Sequence, residues 1–306
     1  MAQTYPLFCM GNPLLDMQVT DGDELLKKYK LNANDAILAG EEQAEIYDDL
    51  VQNYKLTYVA GGASQNAARG AAYLLPPNSV VYTGWREGLT DAYLVKKGEK
   101  TGACAVVITV TTLRVAEKFE AGLLSSPEVA PLVEGAKVIY VEGYFLTHGL
   151  ESILHLAKKA SETAKIFVLN LSAPFITQFF KTQLDQPEAS GQPDKKDLPA
   201  VARAIALTPK SNPSRPRTVI ITQGPESTIV ATAADDATPK IFPVHALKDE
   251  EIVDTNGAGD AFAGGVLGAL VADKSIDEAI EVGHKMGAMC VQQVGPQYKW
   301  PKVQIL

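Results

Sequence analysis

The chain has 306 residues, of which 46% are hydrophobic and 21% charged, with a formal net charge of −8. That length suits one large domain, or one with a small appendage, and the composition is ordinary for a globular fold. An acidic balance without a Lys/Arg-rich arm argues against nucleic acid or an anionic membrane as partner.

In chain order, short β-rich runs alternate with helical ones, which predicts a largely parallel sheet covered by helices. The first strand is expected over Leu7–Gly11. Gly11-Asn12-Pro13-Leu14-Leu15-Asp16 follows, with Asp16 just beyond a strand end, a usual place for ligand contacts in such sheets. A carboxylate there holds a vicinal diol well; an Asp capping a loop is the plain alternative. Residues Asp16 to Tyr58 are polar and charged with short apolar pieces. With the strand-like runs Asp91–Val95 and Gly102–Thr109 they suggest a small β-containing lid, or merely surface loops and edge strands. The expected division is a large domain over 1–16, 61–90 and 111–306, with the lid over 17–60 and 91–110.

A β-like run at Leu56–Ala60 leads into Gly61-Gly62-Ala63-Ser64-Gln65-Asn66 and a helix over Ser64–Leu75. Gly61 and Gly62 allow a ligand close to the backbone, and Asn66 offers the donors and acceptors that suit a polyol; a simple turn pair is the alternative. Further strands are expected at Ser79–Thr83, Lys137–Glu142, Lys165–Asn170 and Thr218–Gln223. Further helices are expected at Leu150–Ala164, Pro174–Leu184 and Leu198–Leu207. After the Gly224-Pro225 turn, Ser227–Ala231 and Lys240–Val244 look like an edge hairpin or meander. Two helices close the chain, Ala258–Ala272 and Ile276–Val294, the second with an apolar stripe at helical spacing.

The most informative string is Asp254-Thr255-Asn256-Gly257-Ala258-Gly259-Asp260-Ala261-Phe262, which runs into the first of these helices. Its glycines permit a tight turn, and the helix's first free N–H groups, with the dipole behind them, suit phosphate or another anion. A carboxylate aimed into such a site repels phosphate unless it is there to take a proton from an attacking hydroxyl. Asp260 as an ordinary helix N-terminal carboxylate is the alternative. No P-loop motif and no protein-kinase signature is present. Phe262 stands where a dinucleotide fingerprint needs its third glycine. Cys9, Cys104 and Cys290 form no CxxC pair and read as reduced thiols of a cytoplasmic protein. The first residues have no secretory pattern, and no apolar run reaches the ~18 residues of a membrane span. The four histidines show no zinc-ligand spacing.

Gly11–Met17, Ala60–Gly70, Thr101–Thr109, Glu142–Thr147, Leu169–Phe180, Val219–Gly224 and Asp254–Gly265 together carry a resemblance. They cover most of the length in the expected order, and the chain resembles the adenosine kinase branch of the ribokinase-like sugar and nucleoside kinase family. The resemblance implies an α/β fold: a doubly wound, mostly parallel sheet flanked by helices, with a small β lid. It implies transfer of the ATP γ-phosphate to the 5′-hydroxyl of adenosine, with Mg²⁺ required. Asp260 then resembles the catalytic base, and Gly257, Ala258 and Gly259 its anion hole. Asp16, Gly61, Gly62 and Asn66 resemble ribose-binding positions, with Asn12 close by. Leu14, Cys104, Phe145 and Phe175 are similar to positions around the adenine base. Thr222, Gly224, Asn256 and His284 fall where the family binds the nucleotide. Mg²⁺ is expected on ATP oxygens and water rather than in an all-protein cage. The partners are a nucleoside and ATP, and a monomer is expected.

The chain departs from the family pattern at three places: after Gly84, after Thr109, where an Arg-Ser-Leu loop is missing, and after Leu184, where a strand ending in Asn-x-x-Glu is missing. Removing that strand is expected to leave its neighbours' backbone edges exposed. Either the chain is a closed-up version of a longer one or the gaps are true deletions. Two further functions stay open: a nucleoside-binding homologue with impaired or no catalysis, and a kinase for another nucleoside or a sugar.

Overall fold

A computed structural model describes residues 4–19, 22–31, 35–38, 40–43, 45–83, 102–107, 110–114, 121–173, 176, 197–234 and 238–306. They fall into two compact units, one from Met1–Ile176 and Asp249–Leu306, the other from Thr177–Lys248.

The first unit begins with β1 (Leu7–Met10), β2 (Leu14–Val19), α1 (Asp23–Lys28), β3 (Asp35–Leu38) and α2 (Ile46–Asn53). It continues with β4 (Thr57–Gly61), α3 (Ala63–Leu74), β5 (Val80–Thr83), β6 (Gly102–Val107), β7 (Val110–Arg114) and α4 (Ala130–Gly135). Then come β8 (Val138–Glu142), a short 3-10 turn at Gly143–Thr147, α5 (Leu150–Glu162) and β9 (Ile166–Asn170). The second unit holds α6 (Leu198–Leu207), β10 (Thr218–Gln223), β11 (Glu226–Thr232) and β12 (Lys240–Phe242). The chain returns to the first unit for α7 (Ala258–Val271) and α8 (Ile276–Val291).

Four parallel strands in the order β5-β1-β8-β9 form the main sheet of the first unit. Every residue of β1 and β8 is buried, which is why both read as nearly continuous apolar runs rather than alternating ones. Leu7, Cys9, Val138 and Tyr140 pack against Ala67, Ala68 and Ala71 of α3 and Leu267 of α7. The small residues of α7 permit close backbone packing on both sides. A Cβ at Gly264 would stand 2.6 Å from the Ala67 carbonyl, and one at Gly265 would stand 2.7 Å from Gly283 Cα on α8. A larger residue at Gly264 would force α7 away from α3, and one at Gly265 would force it away from α8.

The second sheet of this unit is mixed, in the order β3-β7-β6-β2-β4. Its strand β2 runs across residue 16 and β7 across residue 110. The polar-looking stretch after Asp16 contains its own core, formed by Val19, Leu25, Tyr29, Leu31, Ile46, Tyr47 and Leu50. Helices of six and eight residues carry most of it, too short for a helical period to emerge from the sequence.

In the second unit α6 is capped by Asp197, whose Oδ1 accepts the Ala200 N–H at 3.0 Å. Ala202 and Ala206 pack on Ile229 and Ala231 of the antiparallel sheet β10-β11-β12. The strand at Thr218–Gln223 was expected among the parallel strands. Here it pairs antiparallel with β11, because Gly224, at φ +62°, and Pro225 join the two as a two-residue hairpin. Among the described residues β9 pairs only with β8. The expected elements Asp91–Val95 and all but Ile176 of Pro174–Leu184 lie outside the described residues.

Candidate active site

Three chain reversals of the first unit converge at one place: β1 into β2, β4 into α3, and the Asp254–Gly257 loop into α7. Each depends on glycine. Gly62 sits at φ +98°, where a Cβ would overlap the Asn12 carbonyl. At Gly61 a Cβ would overlap the Asp16 carboxylate; β2 and β4 pair so that Leu14 lies opposite Gly61 and Asp16 opposite Val59. The Ser64 hydroxyl donates to the Met10 carbonyl at 2.9 Å and ties the start of α3 to the end of β1.

Gly257 is the left-handed N-cap of α7, at φ +77°. Asp254 organises the loop before it: Oδ1 accepts from Asn256 N at 2.9 Å and Asn256 Nδ2 at 2.8 Å, and Oδ2 accepts from Gly295 N at 2.8 Å. Open space surrounds the position a Cβ would take at Gly259, so the helix start is accessible on that side. Of the three expected anion-hole residues, Ala258 already donates its N–H to the Thr255 carbonyl, at 3.3 Å.

Asn66 and Asp260 meet directly. Asn66 Nδ2 donates to Asp260 Oδ2 at 2.8 Å, and Arg69 Nη2 donates to Asn66 Oδ1 at 2.5 Å. Glu142, at the end of β8, is buried; its Oε1 accepts from Asn12 N at 3.4 Å and its Oε2 from Tyr144 N at 2.7 Å. Sequence reasoning missed Glu142 and Arg69. Their only signals were an acid closing the apolar run Val138–Val141, and an arginine three positions beyond Asn66.

The carboxylates are held away from their ordinary acidity. Burial pushes Asp16 up to about 7, reinforced by the negative charge of Asp260 and opposed by Arg69. Asp260 is half-buried, yet desolvation pushes it up to about 7 as well, opposed by the Asn66 hydrogen bond and by Arg69. Glu142 reaches about 8, again chiefly through burial, with backbone hydrogen bonds from Tyr144, Asn12 and Phe145 pulling the other way and the charge of Asp260 adding to the rise. A carboxylate near 7 at an accessible helix N-terminus can be deprotonated at neutral pH and still accept a proton usefully.

The other expected residues are distributed as follows. Phe145 is fully buried in the turn after β8, with its ring edge-on to His148 at 5.0 Å. Leu14 is half-buried at the start of β2. Cys104 stands opposite Asp16 in the register of β6. His284 is buried on α8 with its ring 5.6 Å from Phe262. Thr222 and Gly224 belong to the second unit, on β10 and its hairpin. Phe175 lies outside the described residues.

Residues 86–303 match the model of the pfkB carbohydrate kinase family. An adenosine kinase of Schizophyllum commune is 55% identical, covering 99% of each chain over 342 aligned positions. That alignment is longer than this chain, which is therefore gapped relative to the Schizophyllum protein. The crystal structure of Anopheles gambiae adenosine kinase with P1,P4-di(adenosine-5) tetraphosphate is similar at TM-score 0.85 and 32% identity, covering 95% of this chain and 96% of that one. Schistosoma mansoni adenosine kinase in complex with adenosine and AMP gives 0.87 and 29%, covering 96% and 97%.

Proposed function

Because the chain belongs to the pfkB carbohydrate kinase family and, within it, to the adenosine kinases, we propose that it transfers the γ-phosphoryl group of ATP to the 5′-hydroxyl of adenosine, giving AMP and ADP. The observation that carries the mechanism is the Asn66-held carboxylate of Asp260 at the open N-terminus of α7. Asp260 takes the proton of the 5′-hydroxyl as its oxygen bonds to phosphorus and the bond to ADP breaks. The start of α7 at Gly257, Ala258 and Gly259 stabilises the developing charge. Asp16 holds the ribose hydroxyls against the backbone of Gly61 and Gly62, with Asn12 and Asn66 alongside. Leu14 and Phe145 lie on the adenine side, and Asn256 and His284 of the first unit serve the nucleotide.

Among the described residues no group of three or more His, Cys, Asp or Glu side chains gathers to hold a metal ion. Mg²⁺ carried in on the ATP phosphates and water would supply charge neutralisation on the transferred group. No helix among the described residues is long and apolar enough to cross a membrane.

The test is a product assay. With ATP and Mg²⁺, AMP forms from adenosine, and other nucleosides and ribose react much more slowly. A second reading, binding without turnover, is favoured by the three shortened segments; adenosine binding with no AMP formed would establish it instead. In the favoured reading the sheet β3-β7-β6-β2-β4 acts as a lid that excludes water. Adenosine then slows amide exchange over 102–107 more than over α8, and equal slowing in both removes the lid.

A further inference from the structure

We propose that Arg69 is a positioning residue for phosphoryl transfer, orienting the Asp260 carboxylate through the Asn66 amide and presenting a positive charge to both Asp260 and Asp16. Arg69 stands on α3 three positions after Asn66, so the two side chains share a helix face. An amide has one donating and one accepting end. The guanidinium takes the accepting end at 2.5 Å, which leaves the donating end for Asp260 Oδ2 at 2.8 Å. A flipped amide would set donor against donor at Arg69 and acceptor against acceptor at Asp260. With Oδ2 committed to Asn66, Oδ1 is the oxygen that receives the proton.

The charge balance points the same way. Among the described residues, Asp16 from β2, Tyr140 and Glu142 from β8, Cys290 from α8 and Tyr298 from the C-terminal segment interact with Asp260. These are acids, and Arg69 is a cation set among them, lowering both Asp16 and Asp260. Its Nε is buried without a hydrogen-bond partner among the described residues, a desolvation cost that the fold tolerates at this position. Tyr298 backs the same turn of α3, its hydroxyl 2.7 Å from where a Cβ at Gly70 would stand.

The inference rests on Asp260 as the base, so Asp260→Asn is measured in parallel. The acidic limb of kcat reports the base in the ternary complex. In Arg69→Gln that limb moves up by about one pH unit, a tenfold loss below it. Arg69→Lys, which keeps the charge but loses the fork, retains the limb and lowers the plateau. Titration of the labelled Asp260 carboxyl by NMR in the ligand-free proteins reads the same shift without turnover. An unmoved limb and an unmoved carboxyl titration in Arg69→Gln, or a parental plateau in Arg69→Lys, overturns the proposal while an inactive Asp260→Asn leaves the base in place. An active Asp260→Asn removes the base, and Arg69's role with it.

Discussion

Asp260→Asn lowers turnover by about 10²–10⁴-fold and leaves adenosine affinity nearly unchanged. The substitution preserves size and keeps an acceptor for Asn66 Nδ2, which donates to Oδ2 at 2.8 Å. What it removes is the ability to take a proton. In the proposed mechanism Asp260 takes this role: burial pushes it up to about 7 while Asn66 and Arg69 oppose the rise, so near neutrality a large fraction is ionised. Affinity is largely spared because, in the proposed mechanism, Asp16 and the Gly61-Gly62 backbone hold the ribose and Asn66 keeps its acceptor. If Asp260 were only a helix N-terminal residue, Asn would cap nearly as well and turnover would hardly change. Steady-state kinetics and calorimetry on one preparation separate the outcomes, and near-parental turnover removes Asp260 from the mechanism.

Asp16→Ala weakens adenosine binding about ten- to a hundred-fold, the loss of a charged hydrogen-bond acceptor. Asp16 is buried against the backbone of Gly61. 2′-Deoxyadenosine suffers less than adenosine, since it lacks part of the diol; equal losses for the two nucleosides, or none, refute diol recognition. The same variant has a second expected readout. Asp16 is raised from 3.8 to about 7 in the fold, so the folded protein binds this proton more tightly than the unfolded chain. Its contribution to stability is fully present below about pH 4 and is lost as pH rises through about 7. Relative to the parent, Asp16→Ala therefore gains melting temperature between pH 5 and pH 8 in the absence of ligand. A difference between the two melting curves that does not vary with pH rules out a raised Asp16.

Much of the fold was legible because its signals are local. Leu7–Met10 and Val138–Glu142 announce buried parallel strands by continuous apolar runs, and the Asp254–Asp260 string announces a helix start that only glycine can build. The core around Leu25, Tyr29, Ile46 and Leu50 was not legible, since its helices are too short to show a period. The antiparallel pairing of Thr218–Gln223 depended on the geometry of Gly224-Pro225 rather than on the strand's own composition.

The residues themselves determined which backbone positions are free to bend, where a helix dipole begins, and that an acid stands at that point. Tertiary structure alone decided what that acid can do. Asn66 and Asp260 are 194 positions apart, and they meet because Gly264 lets α7 lie against α3 backbone to backbone. Glu142 and Arg69 became part of the site for the same reason, since β8, α3 and α7 end at one place. Proton affinity follows burial and neighbouring charge, and both are properties of that convergence; a carboxylate read along the chain is an ordinary acid until the fold surrounds it.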